Sequence, residues 1–129
     1  MMVIGIGSTS AATSADVAAA VRAIEDRTGA SCGLIATLKR GAPDAAIAAA
    51  CTALDRPLRL YDAADLISRL ADCQTHSPAS FTAHAIPSVA EAAALAGAGP
   101  GSRLTISRIA FERVTAAAAI SAPAEEPTS

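Results

Sequence analysis

Apolar positions along the chain follow two alternating rhythms. Val3, Ile4 and Ile6 form a short β-branched run that Gly7 ends, the mark of a buried strand. Val17, Val21 and Ile24 then recur at helical spacing with Ala20 beside them, and Gly29 stops that helix. Thr13 or Ser14 can cap it, and Asp16 stands three residues beyond Thr13, as in a capping box. Residues 33–38 are nearly all apolar, as in a strand covered on both faces. Pro43 suits the first position of a second helix and Asp44 its positive end. The face of that helix is Ile47, Ala50, Cys51 and Leu54. Residues 57–61 read as a third strand. Asp62 caps a helix whose buried face is expected to be Ala63, Leu66, Ile67 and Leu70, and residues 72–79 read as a polar loop. Ser88 opens another helix, with Glu91 completing a capping box, and residues 97–101 close it. Residues 104–109 alternate as a half-exposed strand does. Residues 114–120 follow so closely, and without a cap, that a hairpin strand is favoured over an alanine-rich helix.

Strands alternating with helices, then a hairpin, predict an α/β protein. The expected form is a three-layer α/β/α sandwich with a mixed sheet of about five strands, the first ones parallel and the last antiparallel. One domain is expected over residues 1–122, with a flexible polar tail over 123–129.

Composition narrows this further. The 129 residues are 52% hydrophobic and 17% charged, which is globular, but aromatics reach only 2% and alanine supplies much of the apolar content. Small side chains predict helices lying close to whatever they cover. The net charge of −2 and the lack of basic runs argue against nucleic acid as a partner. No apolar run approaches the roughly 20 residues of a membrane helix, and the start lacks signal-peptide character; cytoplasm is the default expectation. Cys32, Cys51 and Cys73 are odd in number and widely spaced, and only His76 and His84 could join them in a metal set. Buried thiols, with no metal site and no cofactor, are expected.

Candidate chemistry gathers where open sheets bind ligands, beyond the carboxyl ends of the strands. That edge should hold the turn of Gly7, Ser8, Thr9 and Ser10, and also Lys39 with Arg40 and Tyr61 with Asp62. Backbone amides and hydroxyls at such a turn suit an anion, phosphate or carboxylate. The third glycine of a dinucleotide fingerprint and the Lys-Ser or Lys-Thr pair of a P-loop are both missing. The glycines can equally serve only a tight turn, and Lys39 and Arg40 only solvate a loop. His84 stands alone and reads as structural; Glu91 reads as a cap. Nothing forms a Ser-His-Asp or Cys-His relay, so no catalytic residue is assigned.

Five ordered pieces together resemble the cobalamin-biosynthesis family of CobE and the C-terminal domain of CbiG. They are Gly5-Ile6-Gly7 with Thr13-Ser14-Ala15; Leu34-Ile35-Ala36-Thr37 before Lys39; Pro57-Leu58 leading to Ala63-Ala64-Asp65-Leu66; Ile86-Pro87-Ser88-Val89-Ala90-Glu91-Ala92-Ala93-Ala94-Leu95; and Ile106-Ser107-Arg108 with Val114-Thr115-Ala116. The resemblance implies the same three-layer fold and a place in corrin-ring construction. CbiG-type proteins open a lactone on a cobalt-precorrin and release a two-carbon aldehyde. This chain corresponds to the C-terminal part and looks like the free-standing CobE type. Where the family commonly has Cys-Arg-Arg-Gly, Ser8-Thr9-Ser10-Ala11 stands here; where it often has Pro-Lys, Ser107-Arg108 keeps one cation.

A precorrin is a broad apolar plate ringed by carboxylates, so its binder needs an apolar floor and donors at the rim. For such a ligand the candidate ligand-binding residues are Gly5, Gly7, Ser8, Thr9, Ser10, Thr13, Lys39 and Arg108. The floor should be aliphatic, since Tyr61, Phe81 and Phe111 are the only aromatics. The expected partners are a precorrin-type tetrapyrrole and other cobalamin-pathway enzymes. Two alternatives are a small nucleotide- or phosphate-binding module and a ligand-free assembly partner.

Overall fold

The computed structural model describes residues 1–41, 44–69, 73 and 88–122. The expectations for Pro43, Leu70, His76, Phe81, His84 and the 123–129 tail, and most of the 72–79 loop, lie outside the described residues. The described elements are β1 (Met2–Ser8), α1 (Ser14–Thr28), β2 (Leu34–Leu38), α2 (Asp44–Leu54), β3 (Leu58–Tyr61), α3 (Ala63–Ile67), α4 (Val89–Ala98), β4 (Arg103–Phe111) and β5 (Val114–Ile120). The strands form one mixed sheet in the order β3-β2-β1-β5-β4. β1 pairs in parallel with β2, and β2 with β3; β5 runs antiparallel to both β1 and β4. The α/β architecture and the hairpin strand at 114–120 agree with the pattern of the sequence.

Side chains of alternate parity leave the sheet to opposite layers. Ile4, Ile6, Ile35, Val114, Ala116 and Ala118 meet α1 and α2 on one face; Val3, Ala36, Leu38 and Ala119 meet α3 and α4 on the other. α1 begins at a full capping box, Thr13 with Asp16, and ends at Gly29, whose φ of 73° is the left-handed conformation that glycine takes cheaply. α2 buries Ile47, Ala50 and Cys51, as its spacing demands. α3 departs from its expected face. Leu66 is buried, but Ile67 is 44% exposed and Ala63 is exposed. The helix is only five residues long, too short to keep a whole stripe on the core.

α4 is buried on nearly every side, including Ala90, Ala92, Ala93, Ala94 and Leu95. Its alanines let the backbone descend onto β1. A Cβ built on Gly5 would lie 1.9 Å from the Ala90 carbonyl oxygen and 2.5 Å from the Ala94 nitrogen. Cys32, Cys51 and Cys73 are buried and unbridged. Burial first, and the nearby Glu25 carboxylate second, push the Cys32 thiol up to about 12. Glu25 also ties the end of α1 to its neighbours: it accepts from the Cys32 amide at 2.8 Å and from Arg56 Nε at 3.0 Å.

Candidate functional site

The three parallel strands deliver their carboxyl ends to one edge, so Ser8, Thr9, Ser10, Lys39, Arg40, Tyr61 and Asp62 lie along it. α4 runs against the direction of β1, with Gly5 and Gly7 beneath its first turns and Gly97 over Val3. Its Ser88 cap therefore sits at the same edge.

Several backbone donors of the turn between β1 and α1 are taken up within the protein. The Thr9 amide donates to the Arg113 carbonyl at 3.1 Å, and the Ala12 amide to the Thr9 carbonyl at 3.2 Å. The Ala11 amide donates to Thr9 Oγ1 at 3.3 Å, and the Thr13 amide to Asp16 Oδ2 at 3.0 Å. Thr13 Oγ1 in turn accepts from the Asp16 amide at 3.2 Å. The Asp16 carboxylate thus occupies the positive end of α1, and Arg113 Nε closes on it at 2.9 Å. The Arg113 hydrogen bond, seconded by the Thr13 amide, holds the Asp16 carboxyl at about 2. A phosphate or carboxylate arriving at this helix end would meet a fixed negative charge.

A pH-dependent prediction arises here. The Asp16 pKa is depressed from 3.8 to about 2, so its contribution is complete above pH 3.8 and is lost as pH falls toward 2. The melting temperature of Asp16→Asn should lie below that of the native chain above pH 4, with the gap closing as pH approaches 2. A gap that stays constant over that window would show that the Asp16 charge does not stabilise the fold.

The other predicted residues separate into groups. Gly5 accommodates the α4 backbone. A Cβ on Gly7 would lie 2.6 Å from Thr115 Oγ1, so Gly7 makes room for a side chain of β5. The Ser8 carbonyl accepts from the Arg40 guanidinium, while the Arg40 and Gly41 amides donate to the Asp44 carboxylate at 3.0 Å. Ser10 and Lys39 are exposed at the edge.

Arg108 lies elsewhere. It lines a groove of about 750 Å³ between the C-terminal end of α1 and β4. Met2, Ile106, Ile109 and Ile120 give the groove an aliphatic floor, and Arg27 supplies a second cation. Thr28, Thr105 and Ser107 add hydroxyls, and among the described residues no carboxylate or imidazole lines it. Its size is that of a small-molecule site, about 300–1,000 Å³. Ser8, Thr9, Ser10 and Lys39 take no part in its lining. A smaller cavity of about 460 Å³ lies by α3 and the end of α4. There the Arg69 guanidinium donates to the Leu95 and Gly99 carbonyls at 2.9 and 2.8 Å, closing a helix end.

Two irregularities in β4 build the groove. Leu104 pairs with Ala119 and Ile106 with Ala118, so Thr105 is an extra residue; Ile109 pairs with Ala116, so Ser107 and Arg108 together face Ala117. Such bulges bend a strand and re-aim its side chains. The first places Leu104 and Ile106 on opposite faces, and the second brings Ile109 back beside Ile106. Each bulge is held by a side chain. Thr105 Oγ1 donates to the Ala118 carbonyl at 3.3 Å. The wholly buried Glu91 is not simply a cap: Ser88 Oγ accepts from its amide at 3.3 Å, but its Oε2 reaches β4 and accepts from the Arg108 amide at 2.8 Å.

Over residues 2–119 the chain matches the family model described as Cobalamin synthesis G C-terminus. No curated protein matches it. Among solved structures it is similar to CobE, a protein from the cobalamin (vitamin B12) biosynthetic pathway. The identity is 26%, with 92% of each chain covered and a TM-score of 0.84. It is also similar to the cobalamin biosynthesis protein chiG from Agrobacterium tumefaciens. There the identity is 35%, with 95% of this chain and 100% of that one covered and a TM-score of 0.78.

Proposed function

The chain belongs to the Cobalamin synthesis G C-terminus family and is a cobalamin-biosynthesis protein of the CobE/CbiG type, and from that premise we propose that it binds a precorrin-type tetrapyrrole in the groove beside β4. The observation that carries the proposal is the pairing of an aliphatic floor with two arginines in a groove free of described carboxylates. The floor receives the ring; Arg27 and Arg108 receive its peripheral carboxylates. Guanidinium suits that task because its planar fork meets a carboxylate through two parallel hydrogen bonds. The lining offers cations, hydroxyls and aliphatic surface, a set that binds and orients rather than one that moves protons. Holding an intermediate, with any conversion completed by a partner enzyme of the pathway, is the role these groups support.

The phosphate-module alternative loses ground on one point: the helix end it needs already carries the Asp16 carboxylate. The test is a titration with hydrogenobyrinic acid followed by its visible spectrum. The native chain should bind more tightly than about 100 μM, that is about −5.5 kcal/mol or better. Arg27→Ala and Arg108→Ala should each weaken binding about tenfold, the loss expected for one charge-assisted contact. Lys39→Ala combined with Ser10→Ala should leave it unchanged. Loss of binding in that pair alone would move the site to the carboxyl edge of the sheet, and no spectral change with the native chain would end the proposal.

A further inference from the structure

We infer that Glu91 is a positioning residue for the groove: its buried carboxylate grips the Arg108 amide at the second β4 bulge and so sets Arg108 in the groove wall. The inference rests on the proposed use of the groove and extends it to a residue that the groove does not contain. Three observations converge. Glu91 stands in the first turn of α4, the helix on the opposite layer from the groove's α1 wall, and is wholly buried. Burying a carboxylate is costly unless hydrogen bonds to its oxygens compensate. Its Oε2 accepts from one backbone amide of β4, that of Arg108, at 2.8 Å. That amide lies at the point where Ser107 and Arg108 share a single partner position on β5.

The geometry explains why the cation rides on a bulge. In a regular strand, the step from Ile106 would send residue 108 to the Ile106 face and residue 109 to the other. The extra residue lets Ile106 and Ile109 both serve the floor, with Arg108 between them at the rim. A bulge interrupts the ladder, and an acceptor from outside the sheet fixes which residue is extruded. Glu91 supplies that acceptor from the far layer, so its hydrogen bond to the Arg108 amide links α4 to the groove wall.

Reach, rather than charge alone, is what the inference requires, and two conservative variants separate them. Glu91→Gln keeps the length and a carbonyl acceptor but loses the charge. Glu91→Asp keeps the charge but draws the acceptor back by one C–C bond, about 1.5 Å. Amide hydrogen exchange at Arg108, read by NMR on the full chain without ligand, reports the hydrogen bond directly. Glu91→Asp should speed exchange of the Arg108 amide at least tenfold while the β1 amides stay protected; Glu91→Gln should stay within threefold of the native rate. With hydrogenobyrinic acid, Glu91→Asp should weaken binding about as much as Arg108→Ala, and the two together no more than Arg108→Ala alone, because both act through one group. Equal protection of the Arg108 amide in all three proteins would overturn the inference, as would additive losses in the double variant. Failure of the native chain to bind the corrinoid would instead strike the proposed function, leaving the exchange measurement to decide on Glu91.

Discussion

Gly5→Ala should be among the most damaging single substitutions in the chain. Its new methyl would sit 1.9 Å from the Ala90 carbonyl oxygen and 2.5 Å from the Ala94 nitrogen, both backbone atoms of a buried helix. Neither can swing aside as a side chain does, so α4 must lift from β1. Overpacking a tight core costs about 1–3 kcal/mol and occasionally more, and this site belongs at or above the top of that range. The roughly 0.5–1 kcal/mol gained by replacing a strand glycine offsets little of it. Gly7→Ala provides the contrast: its methyl meets Thr115 Oγ1 at 2.6 Å, a side-chain atom that a change of χ1 can move aside at the loss of its bond to the Gly7 carbonyl. Urea denaturation should place the Gly7 variant about 1–2 kcal/mol below the native chain, toward the low end of overpacking costs and well above the Gly5 variant. Equal costs at the two positions would show that α4 does not rest on β1 as closely as described.

The contrast bears on what the sequence could disclose. A glycine inside a strand signals either a turn for a ligand or close approach of another backbone, and local pattern cannot choose between them. The choice is made by α4, whose packing residues begin more than eighty positions later. Caps were legible because they are local: Thr13 and Asp16 are three residues apart and close their box without help from the rest of the chain. Glu91 shows the limit of the same rule. Its spacing from Ser88 is that of a capping box, yet its carboxylate goes to Arg108, seventeen residues on, because burial in α4 brings β4 within reach.

The groove was partly legible. The large apolar residues of β4 fall at 104, 106, 109 and 111, and the step of three between Ile106 and Ile109 departs from the regular alternation expected over residues 104–109. That break is the sequence trace of a bulge. The extra residue at Thr105 left no such trace: 104 and 106 keep a spacing of two, yet the shifted register turns them to opposite faces. Arg108 was found as a cation near the last strands, but its companion Arg27 comes from the last turn of α1. Only the tertiary fold joins them. The Arg113–Asp16 pair beside the expected anion turn left no trace in the local pattern, because Arg113 lies 97 positions from Asp16.

Leu66 and Ile67 put the same lesson into energetic terms. They are adjacent, both aliphatic, and both were expected on the inner face of α3. In the fold Leu66 is fully buried against the α4 layer, while Ile67 is 44% exposed. Truncating a buried leucine to alanine costs about 2–5 kcal/mol, made of lost transfer energy and the cavity left behind. Leu66→Ala should therefore approach the loss of a large part of the fold's stability, given that domains hold only about 5–15 kcal/mol in all. Ile67→Ala removes a side chain that is nearly half in water and should cost no more than about 1 kcal/mol. Its better helix propensity offsets part of even that change. Both values come from one pair of urea titrations. Equal losses would mean that α3 presents both residues to the core, and the five-residue helix would then have to rotate from the orientation described.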